Sequence, residues 1–504
     1  MVRVELRGGA AVRVAPRPAD RGRWRRMTGE LGTKAARGSL WLGAVNLVSK
    51  GSQMVVTLAL AALLTEGELG VVALAVSLVN LGQVVQSIGV YDVISRTERD
   101  SRRMAGTVLT LSVGAGLFLG LVLVAVASPV TEALGVPDAA GPVRLAALGL
   151  PFAAAGGVQL ALLHRELDFR RRMVPDGGSA VLGAAVTIVF ALDGAGPMSL
   201  VAGFVCASVA QPLLGALMGG GIRPCWDSRA AVEALRWVAI VGPAAVVAAL
   251  LVNLDYLAVG RLLGPEAVGV YSLAYRLAWV PYITVAIVLG AVAFPVFTRL
   301  CRRDGPLREM VSRFTRAVLV LTGGLYLALA VLADRVVLLG ARWADAATPL
   351  VLLCGYGLGI CLLQIWYQAV KATGHARRYL ALECSHLGLL VAGLALLTPF
   401  GIEVVAAVQF AAAWLMLPIA WHVLARLEAA PPVQELTGIV SRVLAACVLG
   451  ALPAVLLDQA GSFGSADSVP GALGEGLVLM AGYTAATLAF HRRELLALRR
   501  GGLR

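Results

Sequence analysis

Three observations predict an all-α polytopic membrane protein of about 14 transmembrane helices, built as two pseudo-symmetric six-helix lobes plus two C-terminal helices. The 504 residues are 59% hydrophobic and only 14% charged, with a mean hydropathy of +0.81. A soluble core of this size cannot hide so much apolar surface. Apolar stretches of about 20 residues, enough to cross a ~30 Å hydrocarbon layer, recur from residue 39 to residue 490. The third observation is a repeat: residues 63–75 align without a gap on residues 262–274, at a constant offset of 199. Leu63, Leu64, Gly70, Val71, Leu74 and Ala75 are identical in the two copies. Each copy reads as helix, tight turn, Gly-Val, helix, and each opens one half of the chain.

Residues 1–38 are rich in arginine and hold no apolar run long enough to span. They read as a disordered, basic cytoplasmic arm; no small-residue cleavage site follows the first hydrophobic run, so a signal peptide is not indicated, and Met27 is an alternative start. Spans are predicted near 39–64, 69–94, 104–128, 142–163, 177–192, 197–219, 235–258, 266–297, 314–333, 345–370, 379–398, 403–425, 438–457 and 471–490. The N-terminal lobe is set at 39–219, a cytoplasmic linker at 220–234, the C-terminal lobe at 235–425, the two extra helices at 426–490 and a basic tail at 491–504.

Charge tests this count. With the N-terminus inside, Arg96 to Arg103, Arg165 to Arg172, Arg223 to Arg236, Arg299 to Arg316, Lys371 to Arg378, Arg426 and Arg442 all fall on cytoplasmic connectors, with the arm and tail. Of the 43 basic residues, only Lys50, Arg276, Arg144, Arg261, Arg335 and Arg342 fall elsewhere. This asymmetry orients the chain with both termini cytoplasmic. It also explains the net charge of +13 without nucleic acid. If six spans separate the copies, the halves are parallel repeats about an axis along the membrane normal, with a site expected between them near the midplane. The seven cysteines form no CxxC pair, so neither a disulfide framework nor a zinc site is indicated.

Polar groups in hydrocarbon carry the functional signal, because a cation at a helix centre costs about 2.5–3.5 kcal/mol on insertion scales and normally faces a cavity or a partner. Lys50 and Arg276 are the two deep cations. Asn46, Lys50, Gln53 and Thr57 follow 4-3-4 spacing and form one stripe. Arg276 shares its helix with Ser272, Tyr275 and Trp279. Ser77, Asn80, Gln83 and Ser87 mark the second span, and Gln364, Gln368 and Lys371 the tenth. Asp255 is the natural counter-charge or proton carrier. Trp279 and Trp366 are placed to stack on a sugar. The competing reading makes these groups interhelical glue, with Asp255 bridging one of the cations. Glu383-x-x-His386 has the spacing of a metal half-site but lacks a second copy, so a plain polar pair is expected. Two cations imply an anionic cargo, and polar stripes with aromatics suit a hydroxyl-rich one.

Residues 39–96, SLWLGAVNLVSKGSQMVVTLALAALLTEGELGVVALAVSLVNLGQVVQSIGVYDVISR, resemble the opening of the bacterial polysaccharide flippase family. This family lies in the multidrug, oligosaccharidyl-lipid and polysaccharide exporter superfamily. LLHRELDFRRR at 162–172, LDYLAVGRLLGPEAVGVYSLAYRLAWVP at the seven–eight junction, VAFPVFTRL at 292–300, and LLGARWADAATPL with YQAVKATGHARR at 338–378 are similar to later family segments in the same order. The resemblance implies alternating access by two lobes and a polyprenyl-pyrophosphate-linked oligosaccharide as cargo for surface polysaccharide synthesis. Lys50, Arg276, Gln53, Asn46, Asn80, Tyr275, Gln364 and Gln368 would line the lumen, and Asp255 would couple. At Ala62 the chain departs from the family, where an Arg often precedes the double Leu; the second copy keeps Arg261. No ATP-binding P-loop is present, so no cofactor is expected, and a proton or Na+ would drive transport. The expected partners are the lipid-linked glycan, membrane lipids and a polysaccharide polymerase or co-polymerase, with the protein a monomer. A small-molecule exporter of the same superfamily and a peptidoglycan-precursor flippase are the alternatives. Short external connectors disfavour an enzyme.

Overall fold

The computed structural model describes residues 2–5, 11–14, 51–90, 93–94, 100–166, 169–302, 305–464 and 468–501. Among them, α1 is Gly51–Leu63, α2 Glu66–Ser87, α3 Ser101–Ala133, and α4 the pair Pro137–Ala147 and Leu150–Arg165, bent by 46°. Then come α5 Arg170–Leu192, α6 Met198–Gly219, α7 Ser228–Leu263, α8 Pro265–Cys301, α9 Leu307–Val331 and α10 Ala347–Ala372. Last are α11 Ala376–Leu397, α12 Ile402–Ala425, α13 Val433–Gln459 and α14 Val469–Phe490. Twelve of these helices are long and apolar enough to cross a membrane, and the bent pair makes a thirteenth. Each predicted span from the second onward meets one helix. The first continues into α1, but its residues 39–50 lie outside the described residues, so the count of fourteen is not reached there. Large apolar side chains such as Phe118, Leu121, Leu396 and Leu477 point outward and are exposed, as lipid-facing positions should be.

The described residues of the arm, which as a whole is read as disordered, form a short hairpin. Val2–Glu5 pairs antiparallel with Ala11–Val14, Val2 opposite Val14 and Val4 opposite Val12. Val-x-Val alternation in both segments has the two-residue period of a strand, which a tally of charge passes over.

The two copies start their second helix by different chemistry. Thr65 caps α2 with a capping box: its hydroxyl accepts from the Glu68 N–H, while Glu68 accepts from the Thr65 N–H at 2.9 Å, satisfying two otherwise unpaired donors. At α8 the cap is Gly264, with φ 90, followed by Pro265 at the first helical position.

These two helix starts then cross each other. A Cβ on Gly70 would run into the Pro265 carbonyl oxygen, and one on Gly269 would run into the Glu66 carbonyl oxygen. At an offset of 199 each contact is the image of the other, so a two-fold axis runs between α2 and α8. Only residues without a side chain allow backbones this close. Around the crossing, Leu60, Ala61, Leu64, Leu69 and Val72 of the first half merge with Val259, Val268, Tyr271, Leu273 and Trp343 of the second in one continuous core. This end of the bundle, the Thr65 end, is therefore closed.

At the opposite end α7 begins inside the first half. Ala230 and Ala234 share a cluster with Val90, Ile94, Met104, Ala105, Val158 and Leu162, and Val238 packs on Gly89. The linker before it is stitched to α3: the Cys225 N–H donates to the Gly106 carbonyl at 3.4 Å, and the Thr110 hydroxyl donates to the Cys225 carbonyl at 3.0 Å. Beyond Pro243, α7 carries Leu251, Tyr256 and Val259 into the main core.

Helices α13 and α14 are fastened to α9 along its length. Arg335, in the 3-10 turn Ala333–Leu339 after α9, sits 2.9 Å from both Asp458 and Glu475. Tyr483 donates to the Val320 carbonyl at 2.7 Å. Near the start of α9, Glu435 takes Arg316 and Ser312, each at 3.0 Å.

Candidate functional site

The polar residues of the second half converge where α7, α8, α10 and α12 meet. Tyr271, Tyr275, Trp279 and Tyr282 stand four, four and three residues apart on α8, so they share one face. Tyr256 of α7 meets Tyr271 edge-on at 5.8 Å and Tyr275 at 5.4 Å between ring centroids. Tyr275 stacks on Trp279 at 5.2 Å, Trp279 lies 4.5 Å from Tyr282, and Tyr356 of α10 lies nearly parallel to Trp279 at 6.2 Å. The result is a continuous aromatic ladder running in from the Thr65 end. It stops where Pro281 and the π-helical turn Tyr282–Ala286 interrupt α8, as such turns do where a helix is reshaped.

Asp255 lies at the base of this ladder and is fully buried. Its Oδ2 accepts from the Tyr271 hydroxyl at 2.8 Å and from the Gln409 amide at 3.0 Å, and its Oδ1 accepts from the Tyr256 N–H at 2.9 Å. A buried carboxylate needs such donors to offset lost hydration. The Gln409 Oε1 is buried without a donor; turning the amide over would set that oxygen against Asp255 instead.

Asp255, expected as a counter-charge or proton carrier, forms no salt bridge with Arg276 among the described residues. Its partners are Tyr271 and Gln409, because α8 turns Tyr271 and Arg276, five residues apart, to different faces. Arg276 is half-buried beside Tyr256, with which it interacts electrostatically. Among the described residues it forms no salt bridge. Lys50 and Asn46 lie outside the described residues, so neither the stripe they head nor a pairing of Lys50 with Asp255 can be placed. Gln53 is exposed on α1, and its carbonyl accepts from Thr57. Asn80 is half-buried on α2, at the position that matches Trp279 across the repeat.

Gln364 and Gln368 are half-buried on α10, Gln364 against Gly290 of α8. Lys371 continues that stripe and packs 4.0 Å from the Tyr379 ring, and both interact electrostatically with Glu383. Glu383 and His386 are both buried, and no group of three or more metal-ligating side chains occurs among the described residues. Trp366 does not fit the sugar-stacking role: it is buried in the core, donating to Thr315 at 3.1 Å, since its side of α10 faces α9. Trp279 remains partly open.

Tyr271, Tyr256, Tyr356 and Gln409 were not singled out from sequence. Tyr271 was legible as the next member of the Tyr275 and Trp279 series. Gln409 was legible as a lone amide in an apolar helix.

Known proteins share this architecture and, over about three-fifths of the chain, about a quarter of its residues. The chain is 25% identical over 330 residues to the lipopolysaccharide biosynthesis protein WzxC of Escherichia coli strain K12, a match covering 64% of this chain and 67% of that one. It is 27% identical over 306 residues to the succinoglycan biosynthesis transport protein ExoT of Rhizobium meliloti strain 1021, covering 60% of this chain and 62% of that one. Against the teichuronic acid biosynthesis protein TuaB of Bacillus subtilis strain 168 the identity is 24% over 305 residues, again 62% of the relative's length. In fold, the lipid II flippase MurJ in an inward closed conformation matches with a TM-score of 0.73 at 12% identity, covering 91% of this chain and all of that one. An inward-facing multidrug resistance MATE family transporter matches with a TM-score of 0.62 at 15% identity, covering 77% and 99%. These likenesses establish the two-lobed fold. The family model described as polysaccharide biosynthesis protein matches residues 59–348, and the chain belongs to that family.

Proposed function

We propose that this protein is a flippase that carries a polyprenyl-pyrophosphate-linked oligosaccharide repeat unit across the bacterial cytoplasmic membrane for surface polysaccharide synthesis. The observation that carries this reading is Arg276: a half-buried cation without a carboxylate partner among the described residues, on the same helix as the Tyr275–Trp279–Tyr282 ladder and next to Tyr256. A guanidinium in low dielectric attracts pyrophosphate strongly. The flat aromatic faces beside it suit sugar rings, each with an apolar face and a hydroxyl rim. Family membership and relatives named for lipopolysaccharide, succinoglycan and teichuronic acid synthesis support the same cargo class.

In this reading the Thr65 end faces outward and both termini face the cytoplasm, a reading the arginine distribution supports. The closed Gly70–Gly269 crossing is one endpoint of alternating access, and Lys50 joins Arg276 on the pyrophosphate. Asp255 is the coupling acid: a proton or Na+ entering there would meet the carboxylate, and turning the Gln409 amide over would bring its Oε1 to the same ion. The lipid-linked glycan and membrane lipids are the immediate partners, a polymerase or co-polymerase takes the product, and the protein works as a monomer without an enzymatic step.

The test is complementation of a strain lacking this gene. Lys50→Ala and Arg276→Ala should each abolish surface polysaccharide and leave lipid-linked repeat units on the inner leaflet, with membrane levels of the protein unchanged. Normal polymer from both variants would remove the assigned roles.

A further inference from the structure

The Thr65 end is closed by more than the glycine crossing, and the additional contacts obey the two-fold axis in position but not in chemistry. In each half, the connector after the third helix reaches across to the end of the other half's first helix. In the first half this is the connector between α3 and α4, where Gly135 lies under the Gly260 and Arg261 carbonyls of α7, with no hydrogen bond across this contact among the described residues. In the second half it is the 3-10 turn Ala341–Ala346, launched from Gly340 with φ 132, facing Ala61 and Ala62 of α1. Residues 260 and 261 are the images of 61 and 62 at an offset of 199.

The second contact is hydrogen-bonded. The Trp343 indole N–H donates to the Ala61 carbonyl at 2.8 Å, and the Arg342 guanidinium donates to the Ala61 and Ala62 carbonyls at 3.2 and 3.0 Å. These carbonyls end α1 and have no donor inside their own helix. The cation also sits at the negative end of the helix dipole. Trp343 is fully buried, and Arg342 lies 5.6 Å from its ring centre.

The geometry points to Arg342 and Trp343 as a one-sided latch that sets the balance between the closed and open states of the Thr65 end. Separation there must break the Arg342 and Trp343 bonds on one flank, whereas no hydrogen bond among the described residues spans the Gly135 flank. The inference rests on the alternating-access reading of the fold but not on the identity of the cargo.

The experiment is thiol labelling of Val268→Cys, a buried position in the seam, on purified full-length protein in detergent, against the parent chain to subtract its native cysteines. Trp343→Phe keeps the ring and removes the donor; Arg342→Ala removes the cation. Each should raise the labelling rate several-fold, the pair together more, with the thermal unfolding midpoint nearly unchanged. Arg144→Ala, which removes a hydrogen bond to Ser128 within the first half, should leave labelling at the parent rate. A rate unmoved by both latch substitutions overturns the proposal, as does a rise matched by Arg144→Ala. Because labelling needs no cargo, its failure is distinct from loss of the glycan assignment, which the complementation strain reads.

Discussion

Shifted by 199 residues, the first copy lays Val56 on Asp255, Thr57 on Tyr256, Val72 on Tyr271, Val76 on Tyr275, Ser77 on Arg276 and Asn80 on Trp279. The backbone between them is shared to the level of which glycine meets which carbonyl. The side chains are not shared. One half keeps small or β-branched residues and a single amide, Asn80, at these positions, while the other packs a carboxylate, a guanidinium and four aromatic side chains into the same helical frame. Lys50 inverts the pattern, since its image is Ala249. The duplication thus preserved the surfaces on which the halves meet and let the polar chemistry divide between them. Buried polar groups demand partners, and the second half supplies them from Gln409 and Tyr271.

The comparison can be broken most sharply at its symmetric point. Gly70→Val and Gly269→Val should each prevent closure and abolish polysaccharide export, to equal extents in a complementation assay; a tolerated substitution in one copy would show that the crossing is not used symmetrically. Next in size, Asp255→Val imposes the first-half residue on the second. It should abolish export and lower thermal stability, since the Tyr271 hydroxyl and the Gln409 amide each lose a buried partner worth about 1–3 kcal/mol. Export at parental rates would remove Asp255 from coupling. Arg335→Ala probes the fastening that only the second half possesses. It leaves Glu475 buried beside Asp458 without a cation, a change of about 3–5 kcal/mol for a broken buried pair, readable as a lower unfolding midpoint. The smallest effect belongs to the first copy's own cap: Thr65→Ala should cost about 1 kcal/mol, and Gly264→Ala at φ 90 offers the matching strain in the second copy.

Spans from the second to the last were legible because hydrocarbon imposes length and composition on any helix that crosses it. The two-fold relation was legible because Gly70 and Gly269 survive unchanged in both copies. Asp255 and Arg276 stood out as charges in apolar runs, but their separation did not. Sequence spacing shows which residues share a face of one helix, not which neighbouring helix that face meets, and Gln409 arrives from 154 residues away. Trp366 was misassigned for the same reason: its polar neighbours Gln364 and Gln368 flank it in sequence, while its own side of α10 packs inward on Thr315. The latch at Trp343 left no periodic trace, because a 3-10 turn that bonds to a distant helix end has no hydrophobic rhythm of its own.

Helix α7 is rooted among the residues of one half at Ala230 and Ala234 and finishes among those of the other at Tyr256 and Val259, with Pro243 between. Proline withholds one rung of the hydrogen-bond ladder, so the rod is weakest where the two allegiances meet. Any rocking of the halves loads this strut first, and whatever bends there is felt at Asp255, three turns farther along the same rod.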